Sequence, residues 1–521
     1  MRRAVIAIGM GLAVSLSACG TGAGSGSGGD HGPVVVVVRA TIDDPAYDGL
    51  YAYDAEGRFV RRVSGAVGAS WGTQAPHWNP DRSRLAFVED KADVDHDQLF
   101  VVDPDAEDAP LALTPVPATP TGITILSWSP DGTSIALHAD LDGDGEPSIH
   151  VVPAAGGAAV ALSDDENYVY PFMQFWSPNS RYFSWCEADH VNDPLRLMVA
   201  DLLLDTVTEV SGTMVAGGGV FPQQHRSPWA PSSARLAFLA DKDVLDHREV
   251  WSVLPTGAGL VKLSTGLNVG QEAGAQEWSP DSTRVAYVVS TVTTRKLFSV
   301  PAAGGVVTPE SATDERPEEF HWRPGTNEIA WSGMDTTLDV NVLRIRTAGT
   351  GGAVTTLYAS PGPTVEVGET WRWSPDGARV AFRAGDADIY DPHMRLLCVD
   401  RAAPGVIADV VPEVTATGDV SQFAYRWSPD GTRLLAEAWE TDTSALQSYL
   451  WVAGDGTVQL SDLVDPVDGV SDARFSSTGQ HTMWVEGWYE PAEVLSIAGP
   501  VADDPDVAVG PGPEIVSIHP R

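Results

Sequence analysis

One phrase, an aromatic residue leading into a turn, returns nine times along this chain. It reads HWNPDRSRLAFV from His77, SWSPDGTSIALH from Ser127, FWSPNSRYFSW from Phe175 and PWAPSSARLAFL from Pro228. It continues as EWSPDSTRVAYV from Glu277, HWRPGTNEIAW from His321, RWSPDGARVAF from Arg372 and RWSPDGTRLLA from Arg426, with a degraded RFSSTGQHTMWV from Arg474. The anchors are Trp78, Trp128, Trp176, Trp229, Trp278, Trp322, Trp373, Trp427 and Phe475, spaced 44 to 54 residues apart. A period of that size restricts the chain to a repeat architecture. The 521 residues, which would otherwise suggest three ordinary domains, become one array.

Each unit reads as short strands joined by tight turns. Pro followed by Asp-Gly, as in Pro130-Asp131-Gly132, Pro375-Asp376-Gly377 and Pro429-Asp430-Gly431, presets a β-turn by fixing φ at Pro and permitting positive φ at Gly. The Trp ends one strand, and a short apolar strand with a central Ala follows, such as Leu85-Ala86-Phe87 or Val380-Ala381-Phe382. An acidic connection leads to a third strand (Leu99–Val102, Leu197–Ala200, Leu396–Val399). A weaker fourth strand ends in Leu-Thr or Leu-Ser: Leu113-Thr114, Leu162-Ser163, Leu263-Ser264 and Leu460-Ser461. Four short strands per unit without a helical period predict an all-β chain, a single large β-propeller of four-stranded blades.

The two ends predict closure. Val34–Arg39, Tyr51–Asp54 and Phe59–Ser64 look like strands two to four of a unit lacking its first strand, and Glu514–Pro520 like a lone first strand. Pairing them would close the ring and leave no sheet edge. The count is then ten blades. Nine with an unpaired tail, or two smaller rings, stay open.

The W-S-P-D-G core resembles the TolB-type propeller repeat, a WD-repeat-like unit, over residues 34–521. The resemblance implies strands two to four at the start and an isolated first strand at the end. TolB itself has six blades and an N-terminal α/β domain, and the repeat count here differs. Related propellers precede the catalytic domain of prolyl-oligopeptidase-like enzymes, but the repeats here take up the length such a domain would need.

Composition agrees with a large soluble β-protein. The formal charge is −39 from 71 acidic and 32 basic residues, which argues against nucleic acid as a partner. With 43% hydrophobic residues and 17 Trp, the acidity does not mean disorder. Three Cys exclude a disulfide scaffold, and Cys186 and Cys398 sit in apolar strand-like runs as small hydrophobes.

The N-terminus reads as an address. Arg2 and Arg3 precede an apolar run from Ala4 to Leu16, too short to span a membrane. Leu16-Ser17-Ala18-Cys19 resembles the bacterial lipobox, which implies cleavage before Cys19 and lipidation of its thiol. The expected organisation is a leader over 1–18, the lipidated Cys and a Gly/Ser tether over 19–33, and the propeller over 34–521. An exported lipoprotein follows, and Gly20 after the Cys resembles outer-membrane sorting if the source is Gram-negative.

Two groups of residues carry candidate chemistry. Asp140, Asp142 and Asp144 have the D-x-D-x-D-G spacing that points alternate carboxylates at one hard cation, and resemble the calcium loops of integrin-type propellers. Where those loops carry a further Asp this chain has Ser148, and Val151 stands at the Glu position of an EF-hand. Asp93, Asp95 and Asp97 occupy the equivalent connection one unit earlier. Calcium is the one candidate cofactor, but an acidic exposed hairpin outweighs it, since Asp recurs there in other units (Asp241, Asp243, Asp386, Asp388). The residue before each anchor Trp belongs to the strand that lines a propeller's central channel. It is Glu277, His321, Arg372, Arg426 and Arg474 in five successive units, and the three Arg would form an anion-reading patch or pair with neighbouring carboxylates. Arg84, Arg235, Arg284, Arg379 and Arg433, each six past the anchor, recur too regularly to be anything but structural.

The twelve His show no H-E-x-x-H or other ligand spacing, and no Gly-rich phosphate loop occurs. Three functions remain. The favoured one is a non-catalytic, monomeric scaffold for an envelope protein or peptide, touching the membrane only through its lipid. The alternative is a propeller enzyme, a lyase or hydrolase of an acidic or sugar polymer. The third is a structural element. An enzyme needs convergent His, Arg, Tyr or metal ligands at the channel, and a tight His/carboxylate cluster there would weigh against the binding reading.

Overall fold

A computed structural model describes residues 4–7, 34–44, 47–54, 58–64, 76–90, 96–116, 122–164, 166–170, 174–223, 226–368, 370–386, 393–411, 419–439, 446–460, 470–476, 482–486, 493–498, 507–512 and 515–520. These residues contain no helix and build ten sheets, whose adjacent strands run antiparallel throughout the repeat.

Sheet 1 holds Val34–Asp44, Tyr47–Asp54, Phe59–Arg62 and, from the far end of the chain, Ile515–Pro520. Sheet 2 holds His77–Trp78, Leu85–Asp90, Asp97–Val102 and Leu111–Ala112, and sheet 3 holds Thr124–Trp128, Ser134–Ala139, Ser148–Pro153 and Val160–Ala161. Sheet 4 spans Tyr168–Glu209, sheet 5 Val220–Lys262, sheet 6 Glu272–Pro309 and sheet 7 Glu315–Ala359. Sheet 8 spans Val365–Asp409, sheet 9 Asp419–Gln459 and sheet 10 Val470–Gly512. In sheets 4 and 8 the first strand is broken in two, and both pieces pair with the second strand. The sheets fall into two compact units. Sheets 1, 2, 9 and 10 lie in the unit of residues 1–122 and 411–521, and sheets 3 to 8 in the unit of residues 123–410.

The expected closure of sheet 1 is present: Val36 faces Pro520 and Val38 faces Ile518 in an antiparallel ladder. Sheet 10 gains an outer strand, Ala4–Ala7, parallel to Val507–Gly510. Those four residues belong to the expected leader, while Cys19 and the tether lie outside the described residues.

Three parts of the repeat have a visible physical job. In the turn, the Ser after the Trp donates to the Asp carboxylate (Ser129 to Asp131 at 2.7 Å, Ser279 to Asp281 at 2.7 Å, Ser428 to Asp430 at 2.5 Å). The same carboxylates accept the backbone N–H two residues on, at 3.0 Å in each case. After the fourth strand, a Ser or Thr that follows Leu or Val accepts a backbone N–H near the start of the third strand. Thr114 takes Leu99, Ser163 takes Ile149, Ser211 takes Leu197 and Ser264 takes Val250, all within 3.1 Å. That hydroxyl satisfies a buried donor where the short outer strand has run out.

The third part is the Trp. In the second unit, Trp176, Trp229, Trp278 and Trp322 each donate Nε1–H to the carbonyl of the residue preceding the previous anchor. The acceptors are Ser127, Phe175, Pro228 and Glu277, at 3.4, 3.2, 2.8 and 3.1 Å. Each sheet is thereby tied to the next. Central alanines of the second strands (Ala237, Ala286, Ala330, Ala381) are wholly buried, so the bulky rings of adjacent sheets can approach. Between sheets 5 and 6 the packed group includes Ala237, Leu239, Val250, Trp278 and Tyr287.

Where the turn lacks Gly, the position is still left-handed: φ is 62° at Arg82, 60° at Ser180, 61° at Ser233 and 64° at Ser282, against 68° at Gly132. The three serines are compensated. Their hydroxyls accept the N–H of Asp131, Asn179 and Ser232 in the preceding turn, at 3.0, 3.0 and 2.9 Å.

Candidate functional site

The residues before the anchors of sheets 6 and 7 meet, within the second unit, in one compact cluster. Glu277 and Glu319 are bridged by Arg226: Nη1 lies 2.9 Å from Glu277 Oε2, and Nη2 bonds Glu319 Oε1. His321 stands between the same carboxylates, Nδ1 at 3.3 Å from Glu277 Oε2 and Nε2 at 3.4 Å from Glu319 Oε1. Its ring meets the buried Trp371 edge-on at 4.8 Å between centroids, and Arg226 lies over the Phe320 ring at 4.9 Å. Trp371 is fixed in turn by donating to Ser332 Oγ at 2.9 Å.

Strand geometry explains the convergence. Residues one and three before the anchor point to the same face of a first strand. In sheet 7 those residues are His321 and Glu319, held in register opposite Ala330 and Ser332. Glu277 comes from the neighbouring sheet, and its Oε1 also accepts Trp322 N–H at 3.3 Å. The four side chains are 18 to 36% exposed, sheltered yet reachable. Sequence reasoning singled out Glu277 and His321 but missed Arg226 and Glu319. The signal was the position three before the anchor, which both occupy.

Arg372 in the second unit and Arg426 in the first are exposed, and Arg474 in the first is half-buried, near enough to Arg82 to lower the pKa of that guanidinium, an effect second to burial. The expected structural role of the Arg six past the anchor is plain for two of them. Arg235 donates to Ser252 Oγ and Gly259 O at 2.8 and 2.7 Å, and Arg284 to Ser299 Oγ at 2.8 Å.

Asp140, Asp142 and Asp144 each offer an oxygen within 4.8 Å of the others, close enough to share an ion. The same oxygens are engaged by their own loop. Asp140 accepts Gly143 N–H at 2.7 Å and Gly145 N–H at 2.9 Å, and Asp144 accepts Glu146 N–H at 2.9 Å. Burial alone would raise the pKa of Asp140, but those backbone donors outweigh it and hold it below the usual carboxylate range. In sheet 5 the buried Asp241 does the same job, accepting Gly219 N–H at 2.6 Å and Asp246 N–H at 3.0 Å. Asp93, Asp95 and Asp388 lie outside the described residues.

Cys186 and Cys398 are free and buried, as expected, and burial pushes the Cys398 thiol up to about 12, far from a reactive thiolate. Gly68-Ala69-Ser70-Trp71-Gly72 has the spacing of a hydrolase nucleophile elbow, a match that sequence reasoning passed over. It lies outside the described residues, in a connection between Phe59–Arg62 and His77–Trp78.

No family model matches the chain, and no curated protein matches it in sequence. Solved structures do. A putative TolB from Agrobacterium tumefaciens is 15% identical, covering 53% of this chain and 89% of that one, at a TM-score of 0.27. An oligogalacturonate lyase in complex with manganese is 15% identical, covering 61% and 90%, at a TM-score of 0.38. Dipeptidyl peptidase 4 of Porphyromonas gingivalis is 12% identical, covering 84% of this chain and 59% of that one, at a TM-score of 0.47. By its repeat and the four-stranded sheets that the repeat builds, this chain has the fold of the TolB-type β-propellers.

Proposed function

We propose that the chain is a lipid-anchored envelope propeller that binds a protein or peptide without catalysis, using the Arg226–Glu277–Glu319–His321 cluster as its contact. The observation carrying this reading is the mutual satisfaction of the cluster. Arg226 takes an oxygen from each carboxylate, and both signs of charge are preorganised at a partly exposed surface. Such a surface selects a charged partner by complementarity. Lipid at Cys19 would keep it at a membrane, the outer one in a Gram-negative source.

A second reading has its own observation. His321 has each ring nitrogen within 3.4 Å of a carboxylate, the arrangement that orients an imidazole for general acid–base work. This is the cluster that weighs against a binding role, and it sustains the alternative of a lyase or hydrolase of an acidic or sugar polymer.

Affinity capture from envelope extracts with the full chain, with and without a chelator, tests the first reading when followed by cross-linking mass spectrometry. The expected result is one partner cross-linked around sheets 6 and 7 in both conditions. Failure to enrich any partner, with turnover of an acidic polymer that His321→Ala abolishes, would replace it by the second.

A further inference from the structure

The first strands of sheets 6 and 7 run unbroken into their anchors, as Glu272–Trp278 and Glu315–Trp322. In sheet 5 the strand stops at Phe221, and only the Trp229–Leu236 bridge resumes it. Pro222 and Pro228 bracket this break, and neither has an N–H to give to a ladder. Arg226 therefore sits outside the sheet, its N–H reaching Gln223 O at 3.4 Å.

Its guanidinium nonetheless fills a receptor made by other sheets. Glu277 and Glu319 take its two ends, and its guanidinium carbon lies over the Phe320 ring, 4.9 Å from the centroid. Two carboxylates set to receive opposite ends of a planar cation, above an aromatic face, is the chemistry that recognises a guanidinium. The receptor residues are fixed by the ladders of sheets 6 and 7, with Phe320 only 1% exposed, whereas the occupant Arg226 lies in no strand. The carboxylates remain 27 and 25% exposed beside it, so an incoming side chain can reach them.

We propose that Glu277, Glu319 and Phe320 form a receptor for an arginine side chain of a partner, and that Arg226 is a built-in occupant which that side chain replaces. This inference rests on the binding reading of the same cluster and names the chemistry of the partner. A lysine ammonium, a compact charge without a planar fork, fits the pair less well.

The test is titration calorimetry of tri-arginine and tri-lysine into the full chain, its Arg226→Ala variant, and that variant with Glu277→Gln and Glu319→Gln added. Emptying the receptor is expected to strengthen tri-arginine binding roughly tenfold or more over the unaltered chain, the scale of one charge-assisted hydrogen bond. Tri-lysine should gain less, and the added Gln substitutions should abolish the gain. No gain, an equal gain for tri-lysine, or a gain that survives both Gln substitutions overturns the inference. If Arg226→Ala folds poorly, millimolar guanidinium should raise its melting temperature more than an equal concentration of sodium does, and failure to do so also counts against it. Partner capture by the unaltered chain, with failure of this exchange, would remove the inference and leave the binding reading standing.

Discussion

The indole Nε1–H of Trp278 donates to the carbonyl oxygen of Pro228, 2.8 Å away and 50 residues earlier in the chain. The period of the sequence is thus a bond. An aromatic ring large enough to fill the space between two sheets also carries a donor that reaches the neighbouring sheet. Trp373 lacks this bond: its buried Nε1 has no partner among the described residues. The two rings therefore separate packing from hydrogen bonding. Trp278→Phe should destabilise the protein by about 1 kcal/mol more than Trp373→Phe, the contribution of one buried hydrogen bond. Urea denaturation of both variants measures the difference.

At Ser282 the backbone is left-handed, φ 64°, and the side chain accepts the Ser232 N–H at 2.9 Å. Ser282→Ala keeps the unfavourable conformation and loses the bond. Ser282→Gly loses the bond but relieves a conformational cost of about 1 kcal/mol. The Gly variant is expected to melt above the Ala variant, by the few degrees that such an energy represents.

The turn carboxylates set an acid limit. Burial opposes ionisation of Asp281, but hydrogen bonds from Ser279, Thr283 and Asn327 prevail and bring its pKa from 3.8 to about 2. In Asp430 the Ser428 hydroxyl is the largest influence, again to about 2. A depressed folded-state pKa stabilises the fold above the unfolded value, and that stability is lost as pH falls from about 3.8 through about 2. Unfolding free energy measured from pH 5 to pH 2 should fall more steeply for the unaltered chain than for Asp281→Asn/Asp430→Asn.

The Asp140 loop is held by its own backbone donors, so a chelator is expected to leave the melting temperature unchanged. Asp140→Ala, which strips Gly143 and Gly145 of their acceptor, should cost about 2 kcal/mol or more, because both bonds are to a charged group. A calcium-dependent rise in melting temperature that Asp142→Asn abolishes would establish a metal loop instead.

Much of this was legible in the sequence, because repetition turns weak local signals into strong ones. The Trp anchors and the Leu-Ser ends marked the strand ends, and the lone terminal strand predicted a pairing that is present at Ile518, whereas the bonds made by Trp278 and Ser264 were not foreseen. Glu277 and His321 were identified from their place before the anchor. Arg226 was not, although it too stands three before an anchor, since its own strand is interrupted between Phe221 and Trp229 and its partners lie 51 and 93 residues away. Glu319 was missed although it obeys the alternation, because only the position next to the anchor was read. The Asp140 triplet shows the reverse. Its spacing fits a cation and equally fits a hairpin whose carboxylates cap its own N–H groups, and spacing alone does not separate the two.

The most direct test of the central claim is the amount of partner captured per mole of chain by the Glu277→Gln/Glu319→Gln variant, relative to the unaltered protein. Both substitutions keep shape and hydrogen-bonding size while removing the charge. The account predicts a loss of roughly tenfold or more in capture, with the urea midpoint of the variant confirming that it is folded. Undiminished capture by the folded variant would contradict it.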